Sequence, residues 1–255
     1  MNLQSRKALV TGGSQGIGRA IALRLAESGA DIALNVRQAD ERSDEVRARI
    51  EAMGRVCVVL PFDVSKTAPM RAALDRAARD FGSLDILVNN AGIEVRADFL
   101  DVTESDYDRV MDVNLKAAFF LTQAFAAQCR SAGRGGKVIN ISSVHEDLPF
   151  PHFAAYCVSK GGMKMMMRNL AIELAPLGIT VNNIAPGAIQ TPINDRLMDD
   201  PASHRALLAN IPLGRMGQSD EVAGVAAFLA SSAADYITGT TIVIDGGLLW
   251  NYAEQ

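Results

Sequence analysis

Short β-branched runs alternate with longer stretches of helical periodicity along almost the whole chain, and this alternation narrows the folds open to it. "KALVTGG" reads as a strand, and "GIGRAIALRLAESGA" as an amphipathic helix ending at Gly29. "DIALNV" is a second strand, followed by a charged helix from about Glu41 to Met53. "VCVVLPFDV" is a third, with a helix near 67–81 behind it; "LDILVNNAG" is a fourth, with a long helix over much of 103–132. "GKVINISS", a helix over "YCVSKGGMKMMMRNLAIELAPLG" and the strand "ITVNNIAPG" follow. An irregular segment at about 190–212 precedes a helix at about 219–231 and a last strand, "TTIVIDGG". The strands are apolar throughout rather than alternating, so both of their faces need covering, which predicts a parallel sheet between two layers of helices. The expectation is an α/β fold: one doubly wound domain over 1–255 with a seven-stranded parallel sheet, interrupted at about 190–212 by a substrate-loop insertion.

Composition removes several classes of function. Charged residues are 21% and hydrophobic residues 49%, a globular balance, and a formal charge of −4 offers no footprint for nucleic acid. No apolar run approaches the roughly 20 residues that span a bilayer. "MNLQSRKALVTGG" enters a strand without the pattern of a secretion signal, so a cytoplasmic location is expected and no membrane partner. Cys57, Cys129 and Cys157 are odd in number and lack metal-ligand spacing, and His145, His152 and His204 do not cluster with them. They read as free thiols, and no metal is expected. The "MKMMM" run at 163–167 reads as filling for a core or an interface.

The first strand–helix junction is "TGGSQGIG", with Gly12, Gly16 and Gly18 around Ser14, Gln15 and Ile17. Glycines there allow a tight turn and close approach of a ligand, while the helix N-terminus offers unpaired N–H groups to a pyrophosphate. A dinucleotide site of Rossmann type is the expectation. The second strand ends "LNVRQ", with Val36 where a carboxylate would bind a ribose 2′-hydroxyl and Arg37 placed to meet a 2′-phosphate. NADP is favoured. Gln15 supplies no second positive charge from the glycine turn, which leaves dual use of NAD open.

Tyr156 and Lys160 stand four apart, so one helical turn puts phenol and ammonium on one face. A fixed cation nearby lowers a phenol's pKa from its usual value of about 10 toward a range useful for proton transfer. With the glycine turn, "NNAG" at 89–92, Asn114, the paired serines, Tyr156-x-x-x-Lys160, "PGAIQTPIN" at 186–194 and "DGG" at 245–247 in this order, the chain resembles the short-chain dehydrogenase/reductase family over essentially its whole length. The resemblance implies a catalytic tetrad of Asn114, Ser143, Tyr156 and Lys160. Tyr156 is then the general acid/base and Lys160 its tuning cation and a ribose ligand. Ser143, thirteen residues before the tyrosine, binds the reacting oxygen, and Asn114 holds a water joining Lys160 to solvent. It further implies that Asp63 and Val64 border the adenine and that Asn90, Ala91 and Gly92 meet its ribose. Pro186, Gly187, Ile189 and Thr191 would hold the nicotinamide end.

Within the family the likeness is nearest to bacterial glucose 1-dehydrogenases, carried by "NNAGIE", "SSVHE", "PFPHF" and "PGAIQTPIN". Glu94, His145 and Asn194 would then supply the polar contacts of a sugar pocket, beside Ser143 and Tyr156. His152 departs from that pattern, where an apolar residue is usual. The expected activity is NAD(P)-dependent oxidation of a sugar such as glucose to its lactone. Reduction of a 3-oxoacyl thioester or small ketone is the alternative, and a non-catalytic nucleotide-binding regulator a third. The helices near 103–132 and 153–177 correspond to those that pair subunits in the family, which implies a homotetramer.

Overall fold

The computed structural model describes residues 1–192 and 200–251. Seven strands form one parallel sheet: β1 (Lys7–Val10), β2 (Asp31–Val36), β3 (Cys57–Pro61), β4 (Ile86–Asn89), β5 (Gly136–Ile141), β6 (Ile179–Pro186) and β7 (Thr241–Ile244). Their order is β3-β2-β1-β4-β5-β6-β7, as a doubly wound topology requires. Eight helices are described: α1 (Gly16–Glu27), α2 (Glu41–Ala52), α3 (Thr67–Phe81), α4 (Glu104–Met111), α5 (Ala117–Ser131), α6 (Ala154–Leu174), α7 (Pro201–Ala209) and α8 (Ser219–Ala230).

The period-two geometry of a strand explains the apolar runs. Ala8, Val10, Ile32, Leu34, Ile86 and Val88 face one layer, packing with Ile21, Leu25 and Val46 of α1 and α2 and with Val222 and Ala226 of α8. Leu9, Ala33, Leu87 and Val138 face the other, against Met70 and Leu74 of α3, Leu121 and Phe125 of α5 and Met167 of α6. Each strand therefore needs apolar side chains at successive positions.

One expectation is corrected, and another holds with an added detail. The segment read as irregular at about 190–212 contains α7, with Pro201 in its first turn and Asp200 as N-cap, accepting from Ala202 N at 3.1 Å. The long helix expected over much of 103–132 runs from 104 to 131 and contains a π-helical turn over Asp112–Lys116, which carries Asn114. Of the cysteines, Cys57 and Cys129 are buried while Cys157 is half-buried. No helix among the described residues is long and apolar enough to cross a membrane.

A row of buried amides crosses the sheet at its C-terminal end. Asn89, Asn140, Asn183 and Thr241 are register partners on β4, β5, β6 and β7. Asn89 donates to Asn140 at 2.8 Å, and Asn140 to Asn183 at 2.9 Å. These bonds run across the strand direction and fix the relative heights of β4, β5 and β6. 

Candidate active site

Because β1 and β4 are neighbours while β2 lies on the other side of β1, the chain leaves the sheet in opposite directions there and opens a crevice above the strand ends. The crevice has a volume of about 1710 Å³. Its floor is the glycine turn. Gly12 and Gly16 have φ of +63° and +53°, which L side chains rarely adopt. A Cβ at Gly18 would stand 2.4 Å from the Gly12 carbonyl oxygen and 2.4 Å from Asn90 Nδ2. Thr11 joins the turn to the exit of β4: its Oγ1 accepts from the backbone N–H groups of Asn90 and Ala91 at 2.9 and 3.0 Å. Helix α1 begins beyond this turn with no side-chain cap and no acidic residue in its first turn, so its N-terminal N–H groups and positive dipole end face the cleft. The cradle fits a dinucleotide's pyrophosphate.

Ser14, Gln15, Ile17, Asp63, Val64, Gly92, Pro186, Gly187, Ile189 and Thr191 line the same cleft, so the structure brings the predicted cofactor residues together. Arg37 is exposed on its wall. A second cation, Arg42 in the first turn of α2, was not anticipated. It donates to Gln15 Oε1 at 2.7 Å and pairs with Asp40 at 2.7 Å. Gln15 thus recruits a positive charge that it does not itself carry. The Arg42-Gln15 pair is 27 residues apart in sequence, and no local pattern announces it.

Tyr156 and Lys160 lie on the first turns of α6, on one side of the helix: the lysine Nζ is 5.5 Å from the centre of the phenol ring. Lys160 is buried and donates to the Ile141 carbonyl at 2.8 Å, which anchors it to the end of the strand leading into Ser143. Ser143 Oγ accepts from His145 N at 3.1 Å and starts the short turn Val144–Glu146. Asn114 is 1% exposed. Its amide donates to the Ile93 carbonyl at 2.9 Å and to Ser159 Oγ at 3.1 Å, and its carbonyl accepts from Ile93 N at 2.8 Å. These bonds occupy both amide hydrogens, so the Asn114 side chain has no donor left for a water. A Cβ on Gly92 would lie 3.5 Å from Asn114 Oδ1 and 3.9 Å from Lys160 Nζ, so the glycine sits against both.

The electrostatics differ from the expectation. Although Tyr156 keeps some exposure to the cleft, burial dominates and pushes its phenol up to about 12; contact with Ser143 opposes this, and the Glu94 charge adds to it. Burial also draws Lys160 down to about 8, against the pull of Glu146. The ammonium one turn away does not outweigh desolvation here. The phenol is held in its neutral, proton-donating form.

Beyond Tyr156, Glu94 and His145 line the cleft. The surrounding protein raises the Glu94 carboxyl, although much of its surface is open. His145 Nδ1 lies 3.0 Å from the Leu148 carbonyl, which can only accept, so this nitrogen carries the proton and Nε2 of the neutral ring offers a lone pair. Burial lowers the His145 pKa and favours that neutral ring. The ring stacks on Phe150 at 4.2 Å, and Phe150 on Phe153 at 4.1 Å. His152 does not line the cleft: its Nδ1 meets Asp98 Oδ1 at 2.6 Å and its carbonyl accepts from Ala97 N at 2.9 Å, tying its loop to the segment at 97–98. Asn194 lies outside the described residues.

Comparison with known proteins agrees with this architecture. A family model described as enoyl-(acyl carrier protein) reductase matches residues 12–249. A 3beta-hydroxysteroid dehydrogenase 1 of Eggerthella lenta is 42% identical, covering 97% of this chain and 95% of its own. A glucose 1-dehydrogenase of Gluconobacter oxydans is 40% identical, over 95% of this chain and 91% of its own. The crystal structure of a gluconate 5-dehydrogenase from Burkholderia cenocepacia, in complex with NADP and tartrate, superposes with a TM-score of 0.93 at 40% identity, covering 98% of each chain.

Proposed function

The chain belongs to the short-chain dehydrogenase/reductase family and is an NAD(P)-dependent oxidoreductase acting on CH–OH groups; from that premise we propose that it oxidises a sugar, such as glucose at its anomeric hydroxyl, to the lactone. The observation that carries this reading is that Glu94 and His145 line the cleft beside Tyr156: the Glu94 charge acts on the phenol, and the His145 ring centre lies 6.2 Å from that of Tyr156. A carboxyl and an imidazole acceptor suit a substrate with several hydroxyls, and a site built to bond them rejects ligands that leave its polar groups unpaired.

In this reading Ser143 binds the reacting oxygen, Tyr156 exchanges its proton and Lys160 is the neighbouring cation, while Asn114 fixes Ile93 and the turn over Gly92. A dinucleotide held by the glycine turn and by Pro186, Gly187, Ile189 and Thr191 would supply the hydride acceptor opposite the substrate carbon. The hydroxyl proton goes to that fraction of Tyr156 present as phenolate, which burial keeps small at neutral pH and which grows as pH rises. NADP is the favoured dinucleotide, because Arg37 and Arg42 both stand on the cleft wall beyond β2. We place the protein in the cytoplasm as a homotetramer.

A panel of aldoses, polyols, 3-oxoacyl thioesters and small ketones with NAD and NADP tests the substrate. Turnover of aldoses with NADP is expected; turnover confined to thioesters or ketones would replace the sugar reading with a reductase. In Tyr156→Phe, kcat should fall by about 10²–10⁴-fold, the usual share of general acid–base catalysis, with NADPH fluorescence titrations unchanged.

A further inference from the structure

The proposed tetrad places a cation in the protein interior, and Lys160 is only 4% exposed. A charge so placed keeps its proton only where an opposing charge or good hydrogen bonds compensate its lost hydration. The opposing charge that acts on it is Glu146, whose turn packs on α6 beside it: a Cβ on Gly161, the residue after Lys160, would stand 3.8 Å from the Glu146 carbonyl oxygen.

Glu146 closes the short turn that begins at Ser143, and its side chain is 1% exposed. One carboxylate oxygen accepts from Thr241 Oγ1 at 2.7 Å and lies 3.4 Å from Lys164 Nζ; the other accepts from Asn183 Nδ2 at 3.2 Å. Glu146 therefore terminates the amide row that crosses the sheet from Asn89. Of the charged groups around it, Lys160 and Lys164 come from α6, one turn apart, and Asp147 from its own turn, where it pairs with Lys164. The strands β6 and β7 bring only the uncharged Asn183 and Thr241. Nothing in that packing demands a charge, and a neutral side chain would avoid the desolvation cost of a buried carboxylate. The charge has a use only toward the lysines.

We propose that Glu146 is a positioning residue of the reaction: its buried carboxylate, held by Thr241, Asn183 and Lys164, keeps Lys160 cationic beside Tyr156. The proposal rests on the tetrad assigned above. Protein labelled with ε-13C-lysine reads the Lys160 charge without turnover, the resonance being identified by its loss in Lys160→Met. In Glu146→Gln the titration midpoint of Lys160 is expected to fall by about one pH unit, with NADPH binding retained. Thr241→Val, which removes one hydrogen bond and keeps the charge, should lower the melting temperature without moving the midpoint. Lys164→Met removes a like charge as well as a partner of Glu146 and should move the midpoint upward; Glu146→Gln added to Lys164→Met should bring it back down, which decides the matter if Glu146→Gln alone does not fold. In turnover, the alkaline limb of the kcat profile for reduction should follow the midpoint, and Glu146→Asp should restore part of it. An unmoved midpoint in folded Glu146→Gln, or an equal displacement in Thr241→Val, overturns the proposal. A wild type that turns over no alcohol or carbonyl would defeat the proposed function instead, while the Lys160 midpoint still decides the role of Glu146.

Discussion

Tyr156 and Lys160 show how a residue pair legible in the sequence can behave differently once its surroundings are known. The four-residue spacing put both groups on one side of α6, and the structure places them there. Spacing carries no information on burial, however, and burial pushes the phenol up to about 12 and the lysine down to about 8. With a folded-state phenol near 12, the phenolate fraction grows about tenfold per pH unit through the neutral and alkaline range. Oxidation, which needs phenolate, should therefore accelerate from pH 7 to 9, whereas reduction, which needs phenol, should not. Initial rates in both directions across that range are the check, and a flat oxidation profile contradicts it. Lys160 gives a second, thermodynamic prediction. Its lysine pKa is depressed on folding, so the folded chain resists a proton that the unfolded chain accepts, and below pH 8 the protein carries the full cost of a buried cation. Lys160→Met should unfold at higher denaturant, by about 1–2 kcal/mol after allowing for the Ile141 carbonyl it orphans. The gain should be full below pH 8 and shrink as pH rises from 8 toward 10.5, where the wild-type lysine is neutral in the fold. Urea melts at pH 7 and pH 9.5 measure it; a variant less stable at both would refute it.

At the scale of elements, the strands and most helices were readable because a parallel sheet covered on both faces demands unbroken apolar runs, and this chain has seven of them. What escaped was set by contacts distant in sequence. The π turn at Asn114 breaks no periodicity that a residue count reveals, since Leu115, Ala118 and Leu121 continue the apolar stripe. Arg42 meets Gln15 across the β1–β2 crossover, and Glu146 meets Thr241 from 95 residues away. Helix α7, by contrast, carried a usable signal in Asp200-Pro201, an N-cap followed by a first-turn proline. The glycine turn was legible because its demands are local. Gly18→Ala puts a methyl against the Gly12 carbonyl and Asn90 at 2.4 Å from each, and one of them is backbone. The turn must open, at a cost of about 1–3 kcal/mol in stability. NADPH affinity should fall with it, as the α1 N–H groups lose their aim. Thermal melts and NADPH titrations of this variant decide the point, and wild-type values in both would show that the cradle is looser than its contacts indicate.

The whole molecule leaves one surface unexplained by its own folding. Val158, Met165 and Ile172 recur every seven residues on α6 and are 52%, 62% and 78% exposed, and Phe119 on α5 is 44% exposed. A stripe at this interval stays on one side of a helix over its whole length. Its opposite side, with Met163 and Met167, is buried, so the "MKMMM" run divides between core and surface. Tyr156 and Lys160 sit on the same helix, and anything that packs on the stripe stiffens the element that aims them. This is the face on which the proposed tetramer is expected to pair its subunits, helix against helix. Light scattering should then return four chains of 27.2 kDa. Met165→Glu puts a charge in the middle of the stripe, which a closed apolar contact tolerates poorly, and should split the assembly into smaller species. Because Met165 is exposed in the single chain, the substitution should leave the fold intact by circular dichroism, while kcat falls with the loss of support for α6. A wild type that scatters as one chain would remove the tetramer; a Met165→Glu protein of undiminished mass would move the interface to another face.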